Sequence, residues 1–143
     1  MPVYEYPLAF HVGPLLSALP FIIVMSLLPP KLRQQLNSLL ISGAGSAYLS
    51  GGGFGVWELP FVFIMTGIGL LGLKNIRWVG MGWLLHSVWD VLHHAYGNPI
   101  WPFMPSSSWG CMIFDAAIAI WFLIGAPSIL SFMYKRKHAE VGR

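Results

Sequence analysis

Charged residues are scarce in this sequence. Asp, Glu, Lys and Arg together make up 9% of the chain, whereas an ordinary soluble domain carries about 25%. Hydrophobic residues make up 56%, and the mean hydropathy is +0.67. This balance argues against an ordinary water-soluble domain and predicts a protein that is embedded in a membrane. The net charge of +3 comes from basic residues in the loops and the carboxyl-terminal tail. We interpret it as a sign of membrane topology, and no nucleic-acid partner is expected.

Cysteine is nearly absent as well. The single residue, Cys111, excludes an internal disulfide, and a lone cysteine in an apolar segment is usually a packing residue. The sequence also contains no Rossmann, phosphate-loop, zinc-finger or Ser/His/Asp pattern. No short hydrophobic region followed by a small-residue cleavage site stands at the start, so the first apolar segment is expected to remain as a span.

The number of membrane crossings follows from the apolar stretches and the positive charges. Four stretches, at about 7–29, 54–73, 78–97 and 109–134, are each near the ~20 residues that cross a bilayer. The small and apolar segment 36–53 either joins the next stretch, which gives four crossings, or forms its own short crossing over 36–50 with a turn at 51–53, which gives five. Only five crossings put every Lys and Arg on one side, as the positive-inside rule expects. These residues are Lys31, Arg33, Lys74, Arg77, Lys135, Arg136, Lys137 and Arg143.

The sequence therefore predicts an all-α membrane protein, a compact bundle of about five transmembrane helices that forms one domain over residues 1–143. The amino terminus is expected outside and the carboxyl terminus in the cytoplasm. Glycines along the predicted spans, such as Gly43, Gly67, Gly72 and Gly80, offer small surfaces for close helix approach, within the bundle or in a homo-oligomer.

Ionisable side chains inside the apolar segments are the main functional signal, because charge in hydrocarbon is costly and is usually kept for a purpose. They are His11, Glu58, His86, Asp90, His93, His94 and Asp115. With a rise of about 1.5 Å per residue, all except His86 are expected about 6–12 Å below the outer boundary. His86 is expected nearer the middle of the bilayer. Four different spans would thus bring acids and imidazoles to one level.

The segment GWLLHSVWDVLHHAYG, residues 82–97, carries four of these groups. At about 100° per residue, His86, Asp90 and His93 share one helical face, and His94 lies on the other flank of Asp90. Helix bundles build metal sites from imidazoles and carboxylates in this way. We therefore predict His86, Asp90, His93 and His94, together with His11, as metal ligands. Mixed imidazole and carboxylate ligands favour zinc, iron or manganese.

Asp90 could bind the metal directly or orient a ligating histidine. Glu58 and Asp115 are predicted to complete the site from neighbouring spans and to act as general acid or base. Simpler interpretations exist for each group. His11 could bond a carbonyl freed by Pro14, Glu58 could bond the adjacent glycine-rich turn, and the cluster of residues 86–94 could be a polar network that holds helices together.

The connection over residues 98–109 contains no charge and three prolines. It is expected to form a stiff cap over the outer mouth of the bundle. A cap rich in aromatic and proline residues favours an apolar or lipid-like small molecule as the ligand.

Three patterns together resemble a family of small bacterial integral membrane proteins of unknown function. They are the His-x3-Asp-x2-His-His cluster, the turn GGGFGVWELPF at 51–61, and Asn98-Pro99 with Gly110-Cys111 and Asp115. The resemblance covers about residues 36–130. It implies a bacterial inner membrane, with the outer side in the periplasm, and it supplies no activity.

The leading functional hypothesis is a membrane-embedded metalloprotein, an enzyme that acts on a lipid or another apolar substrate. A bound metal would polarise an oxygen or activate water. The alternatives are an ion- or proton-coupled transporter or relay, a haem protein held by two histidines such as His11 and His93, and a structural subunit of a membrane complex.

Overall fold

A computed structural model describes residues 6–129. These residues form five α-helices and contain no β-strand. The helices are α1 (Ala9–Leu27), α2 (Pro30–Ala44), α3 (Glu58–Gly72), α4 (Ile76–Tyr96) and α5 (Ser107–Leu123), and a short 3₁₀ helix, Gly55–Trp57, leads into α3. The all-α prediction is confirmed, as is the presence of five helices.

The helices run alternately up and down, so the bundle has two distinct ends. At one end, Arg33 bonds the carbonyl of Ala126, and Gln34 bonds the carbonyl of Gly72. At the other end, Tyr48 bonds Ser108, and the N–H of Asn98 bonds the carbonyl of Gly52. Residues 31–33 and 74–77 therefore lie at one end of the bundle, which we call the Arg33 end. The turn at 51–53 lies at the opposite end, which we call the Gly52 end.

The second helix has different limits from the predicted segment 36–50. It begins at Pro30, because proline is well suited to the first helical position, where no N–H partner is needed. It ends at Ala44, and a series of turns carries the chain from residue 45 to residue 51. Helix α5 ends at Leu123, followed by Gly125 and Ala126 with positive φ angles. The remainder of the predicted segment 109–134 beyond residue 129, and the basic tail at 135–143, lie outside the described residues.

Glycines allow two of the helix contacts on α4. A Cβ atom on Gly80 would lie 2.7 Å from Leu123 Cγ and 2.9 Å from the Leu123 backbone nitrogen, and one on Gly82 would lie 2.7 Å from Ile41 Cγ2. Side chains at these positions would force α5 and α2 away from α4. Gly43 and Gly67 instead have no other atom within 4 Å of such a Cβ. The glycine surfaces are therefore used inside the bundle at α4, while those two remain open.

Apolar side chains cover much of the outside of the bundle. Phe63 is 75% exposed and Leu70 is 60% exposed, while Glu58, His86 and Asp90 are buried. Two helical segments, Ala9–Leu27 and Gly55–Gly72, are long and apolar enough to cross a membrane, and Ser107–Leu123 is apolar but shorter. Core helices of soluble proteins and signal sequences can have the same length and apolar composition.

Candidate functional site

Three ionisable side chains from α4 and α5 meet in the interior. His86 Nδ1 lies 2.7 Å from Asp115 Oδ2 and 3.3 Å from Asp90 Oδ2. All three residues are buried, with Asp90 at 0% exposure. His86 and Asp90 face the same way because they are four residues apart on α4. We call His86, Asp90 and Asp115 the inner cluster.

The protonation of His86 is constrained by its second ring nitrogen. Nε2 lies 2.9 Å from the carbonyl oxygen of Ala44, at the end of α2. A carbonyl oxygen only accepts hydrogen bonds, so Nε2 must carry the hydrogen. Nδ1 then faces the two carboxylates either with a proton that they share or with a free lone pair. A ligating histidine in a metal site commonly shows this arrangement, with one nitrogen on a backbone carbonyl and the other free.

Asp90 is held by a chain of hydroxyl groups. The backbone N–H of Ile100 donates to Ser108 Oγ at 3.2 Å, Ser108 Oγ and Tyr48 Oη are 2.8 Å apart, and Tyr48 donates to Asp90 Oδ1 at 2.7 Å. This chain fixes the position of the Asp90 carboxyl group, because Ser108 and Tyr48 are themselves held by hydrogen bonds. The other oxygen, Oδ2, makes no hydrogen bond within residues 6–129, and His86 Nδ1 lies 3.3 Å from it at ion-pair distance. A buried carboxylate oxygen that makes no hydrogen bond calls for an explanation such as an ion.

The inner cluster can hold a metal ion. One ligand atom from each of its three residues lies within 4.8 Å of the others. An Asp90 oxygen that makes no hydrogen bond and a His86 ring anchored on a backbone carbonyl are both typical of residues that bind a cation. One nitrogen and two carboxylate oxygens are donors that zinc, iron and manganese accept.

Glu58 and His93 form a second, separate pair. His93 Nε2 lies 3.0 Å from Glu58 Oε1, and His93 Nδ1 lies 2.9 Å from the carbonyl oxygen of Trp89. Both nitrogens of His93 are thus occupied. The backbone N–H of Phe54 also donates to Glu58 Oε1, at 3.3 Å. No hydrogen bond joins this pair to the inner cluster within residues 6–129.

Tyr48 connects the two groups through its ring. It stacks on His93 with centroids 3.5 Å apart and planes at 18°, while its hydroxyl bonds Asp90. Tyr48 lies in the turn that follows α2, whereas the sequence analysis placed it inside the predicted crossing over 36–50. We did not predict Tyr48 or Ser108 as functional residues. The signal that could have found Tyr48 is its position as a hydroxyl-bearing aromatic in an otherwise small and apolar segment.

Gly52 covers the Glu58–His93 pair with backbone alone. A Cβ on Gly52 would lie 2.4 Å from Glu58 Oε1 and 2.7 Å from His93 Nε2. Asn98 holds this turn in place, since its N–H donates to Gly52 O and its Nδ2 donates to Gly51 O, each at 2.8 Å. Glu58 also lines a cavity of about 320 Å³ that is walled mainly by glycines of the turn.

His11 and His94 lie apart from the buried groups. Trp109 Nε1 donates to His11 Nδ1 at 3.2 Å, and the rings of His94 and Trp109 have centroids 5.6 Å apart. Tyr6 contacts both imidazoles. The seven ionisable residues of the sequence prediction are thus divided among three groups, of which the inner cluster alone meets the geometric conditions for a three-residue metal site in the described chain.

Cys111 lines an apolar cavity of about 440 Å³ between the start of α1 and the start of α5. Phe10, Pro14, Met104 and Phe114 contribute to its walls. Cys111 is not among the three grouped ligands, although it stands one turn before Asp115 on α5.

Comparison with curated proteins found no match, and comparison with solved structures found none either. A protein-family model does match, over residues 9–128, which include all five helices and all three groups of ionisable residues. The match begins earlier than the resemblance over 36–130 and agrees with it that the function of the family is unknown. The chain therefore belongs to the family of unknown function DUF6010.

Proposed function

We propose that this protein is a membrane-embedded metalloprotein in which His86, Asp90 and Asp115 bind one divalent ion, and that it is an enzyme acting on an apolar or lipid-like substrate. The observation that carries the proposal is the meeting of three buried ligand atoms within 4.8 Å, together with an Asp90 oxygen that makes no hydrogen bond in the described residues. Zinc, iron and manganese suit this donor set.

The distribution of side chains supports the membrane setting. Large exposed apolar surfaces are a liability in water, whereas buried acids and imidazoles surrounded by exposed Leu and Phe suit hydrocarbon. Only 17% and 28% of the most apolar windows in the two candidate spans are buried, although a soluble core helix would be mostly buried. Helix α1 packs on α5 and lies within the family match, which favours a permanent part of the bundle over a cleaved signal.

The acidic residues Asp115 and Glu58 have different roles in this proposal. Asp115 is a metal ligand beside His86, in place of the role as general acid or base that the sequence analysis gave it. Glu58 has one oxygen outside its hydrogen bonds and faces a cavity, so it remains the candidate general acid or base. The metal, when bound, would polarise a substrate oxygen or activate water. The apolar cavity beside Cys111 supports an apolar substrate.

Metal analysis of the wild-type protein tests the proposal directly. The full chain should remain in the membrane fraction after an alkaline carbonate wash. After extraction in uncharged detergent without chelator, it should carry about one equivalent of zinc, iron or manganese. A chelator should remove the ion and lower the thermal unfolding midpoint, because an ion at about 1,000 times its Kd adds ~4 kcal/mol to stability. A metal-free protein that cannot take up any of these ions would refute the metal centre.

Tyr48→Phe tests the hydroxyl chain behind Asp90. The substitution should weaken metal binding by about 10–100-fold, since partners that orient a ligand typically contribute that much. The phenyl ring keeps the stack on His93, so the fold should persist. Tyr96→Phe is the matched control, because Tyr96 is 80% exposed and should bind metal as the wild type does. Competition with a fluorescent chelator measures both affinities. Equal affinities in the two variants would show that the Tyr48 hydroxyl has no part in the site.

A proton relay is the second candidate. Each buried histidine donates to a backbone carbonyl with one nitrogen and faces a carboxylate with the other, an arrangement in which a proton can be shared. Against a continuous path, the Glu58–His93 pair and the inner cluster meet only through the stacked ring of Tyr48. The haem alternative has less support, because both nitrogens of His93 are occupied and His11 belongs to a different group.

A further inference from the structure

The Arg33 end of the bundle contains a buried cation. Arg33 is 3% exposed, and its guanidinium donates three hydrogen bonds, all to backbone carbonyls. Nε bonds Met25 O at 2.7 Å, Nη2 bonds Leu28 O at 3.1 Å, and Nη1 bonds Ala126 O. These bonds join the last carbonyls of α1 to the turn after α5. The Arg33 side chain therefore caps the carboxyl-terminal ends of two helices, α1 and α5.

In the described part of the chain, the charge of Arg33 has no acidic counterpart. Within residues 6–129, no carboxylate lies within ion-pair distance of its guanidinium, and the three ion pairs found there all involve His86 or His93. The indole of Trp121, 5.5 Å away, and the carbonyl dipoles offset the charge only in part. Within residues 6–129, the three hydrogen bonds of Arg33 use three of its five N–H groups. A buried charge is usually paired, so this environment suits an anion bound beside Arg33.

A cavity of about 610 Å³ lies beside this cation. Arg33, Ser26, Pro29, Pro30 and Ala126 contribute to its wall. The cavity is also at the amino end of α2, whose helix dipole favours negative charge. Lys31, Lys74 and Arg77 belong to the same end of the bundle and add a positive field around the opening. A guanidinium fork is well matched to the oxygens of a phosphate.

We infer that this cavity is a binding site for a phosphate group, which Arg33 recognises. The phosphate can belong to an anionic lipid headgroup or be free in solution. The inference is independent of the metal centre, which lies toward the other end of the bundle. The lipid source alone requires the membrane setting.

Binding to the purified full chain in uncharged detergent tests the site. Retention of phosphatidylglycerol and of phosphatidylcholine is compared by native mass spectrometry, and inorganic phosphate is compared with chloride at equal ionic strength by thermal unfolding. Selective retention of the anionic lipid with no effect of inorganic phosphate would assign the headgroup as the source. Phosphate also stabilises proteins in general because it is excluded from their surface. A higher unfolding midpoint in inorganic phosphate that Arg33→Gln abolishes and Arg77→Gln retains would therefore show that the free ion suffices. Wild-type protein that prefers neither the anionic lipid nor phosphate would overturn the inference without recourse to any variant.

Arg33→Gln and Arg77→Gln separate the cavity from general surface charge. Both remove one positive charge from the same end, but Arg77 is exposed and is not part of the cavity wall. Arg33→Gln should weaken binding of the effective probe by at least about tenfold, because hydrogen bonds to charged groups are the strong ones. Arg77→Gln should stay within about threefold of wild type. An equal loss in both variants would mean that the anion is attracted only by surface charge.

Discussion

His86→Ala is expected to reduce bound metal to background. It removes the only nitrogen ligand of the inner cluster and leaves Asp90 and Asp115 facing each other without an imidazole. Removing one partner of a buried charged group typically costs about 3–5 kcal/mol, so the thermal unfolding midpoint should also fall strongly. Metal analysis and circular dichroism on the same preparation give both values.

The control for this variant is His94→Ala. His94 stands on the same helix, but its ring contacts Tyr6 and Trp109, and it forms no ion pair with a carboxylate within residues 6–129. This variant should keep the metal and lose little stability. Asp115→Asn provides a further check, since it preserves volume, and it should remain helical while losing most of the metal. Full metal occupancy in His86→Ala, or an equal loss in His94→Ala, would contradict the assigned ligands.

Gly52→Ala is expected to destabilise the Gly52 end of the bundle. The new methyl group would lie 2.4 Å from Glu58 Oε1, 2.6 Å from Tyr48 Cβ and 2.7 Å from His93 Nε2. These atoms are buried and held by hydrogen bonds or stacking, so the turn itself must move and strain the Asn98 contacts. Overpacking of this kind costs about 1–3 kcal/mol, which lowers the unfolding midpoint by several degrees.

Gly43→Ala is the matched change. A Cβ on Gly43 meets no other atom within 4 Å, and the residue lies in the last turn of α2. Alanine there should leave the midpoint unchanged or raise it slightly, because alanine is the better helix former. Metal content in Gly52→Ala then reports whether the disturbance reaches Asp90 through Tyr48. A Gly52→Ala protein as stable as Gly43→Ala would mean that the turn does not cover the pair closely.

The helical face of α4 was predictable from sequence because it depends on spacing alone. His86, Asp90 and His93 share a face, and all three are buried, while His94 on the flank is only half-buried. The partners were not predictable. Depth in a span placed Glu58 and Asp115 at one level, but which acid meets which histidine depends on how the helices rotate and pack. The structure pairs His86 with Asp115 and His93 with Glu58.

The beginning of α2 shows a second limit of the sequence approach. Hydropathy marks apolar residues and not helices, so the polar first turns with Lys31, Arg33 and Gln34 were assigned to a loop. The Pro29-Pro30 pair was the available signal for an earlier start. Burial of Arg33 could not be predicted, because its acceptors are backbone carbonyls that carry no mark in the sequence.

The pairing of α4 with α5 has a consequence for how the chain would be inserted into a bilayer during synthesis. In the proposed membrane setting, an α4 that entered first would carry His86 and Asp90 into hydrocarbon before Asp115 had been made. An Asp at the centre of a lone span costs about 2.5–3.5 kcal/mol on insertion scales, and Asp90, which lies off the middle of α4, would cost less than that. Helix α5 supplies Asp115 together with the close contact at Gly80. If the bundle is embedded in a membrane as proposed, the two helices are suited to enter the lipid phase as one hairpin, with their polar groups already facing each other.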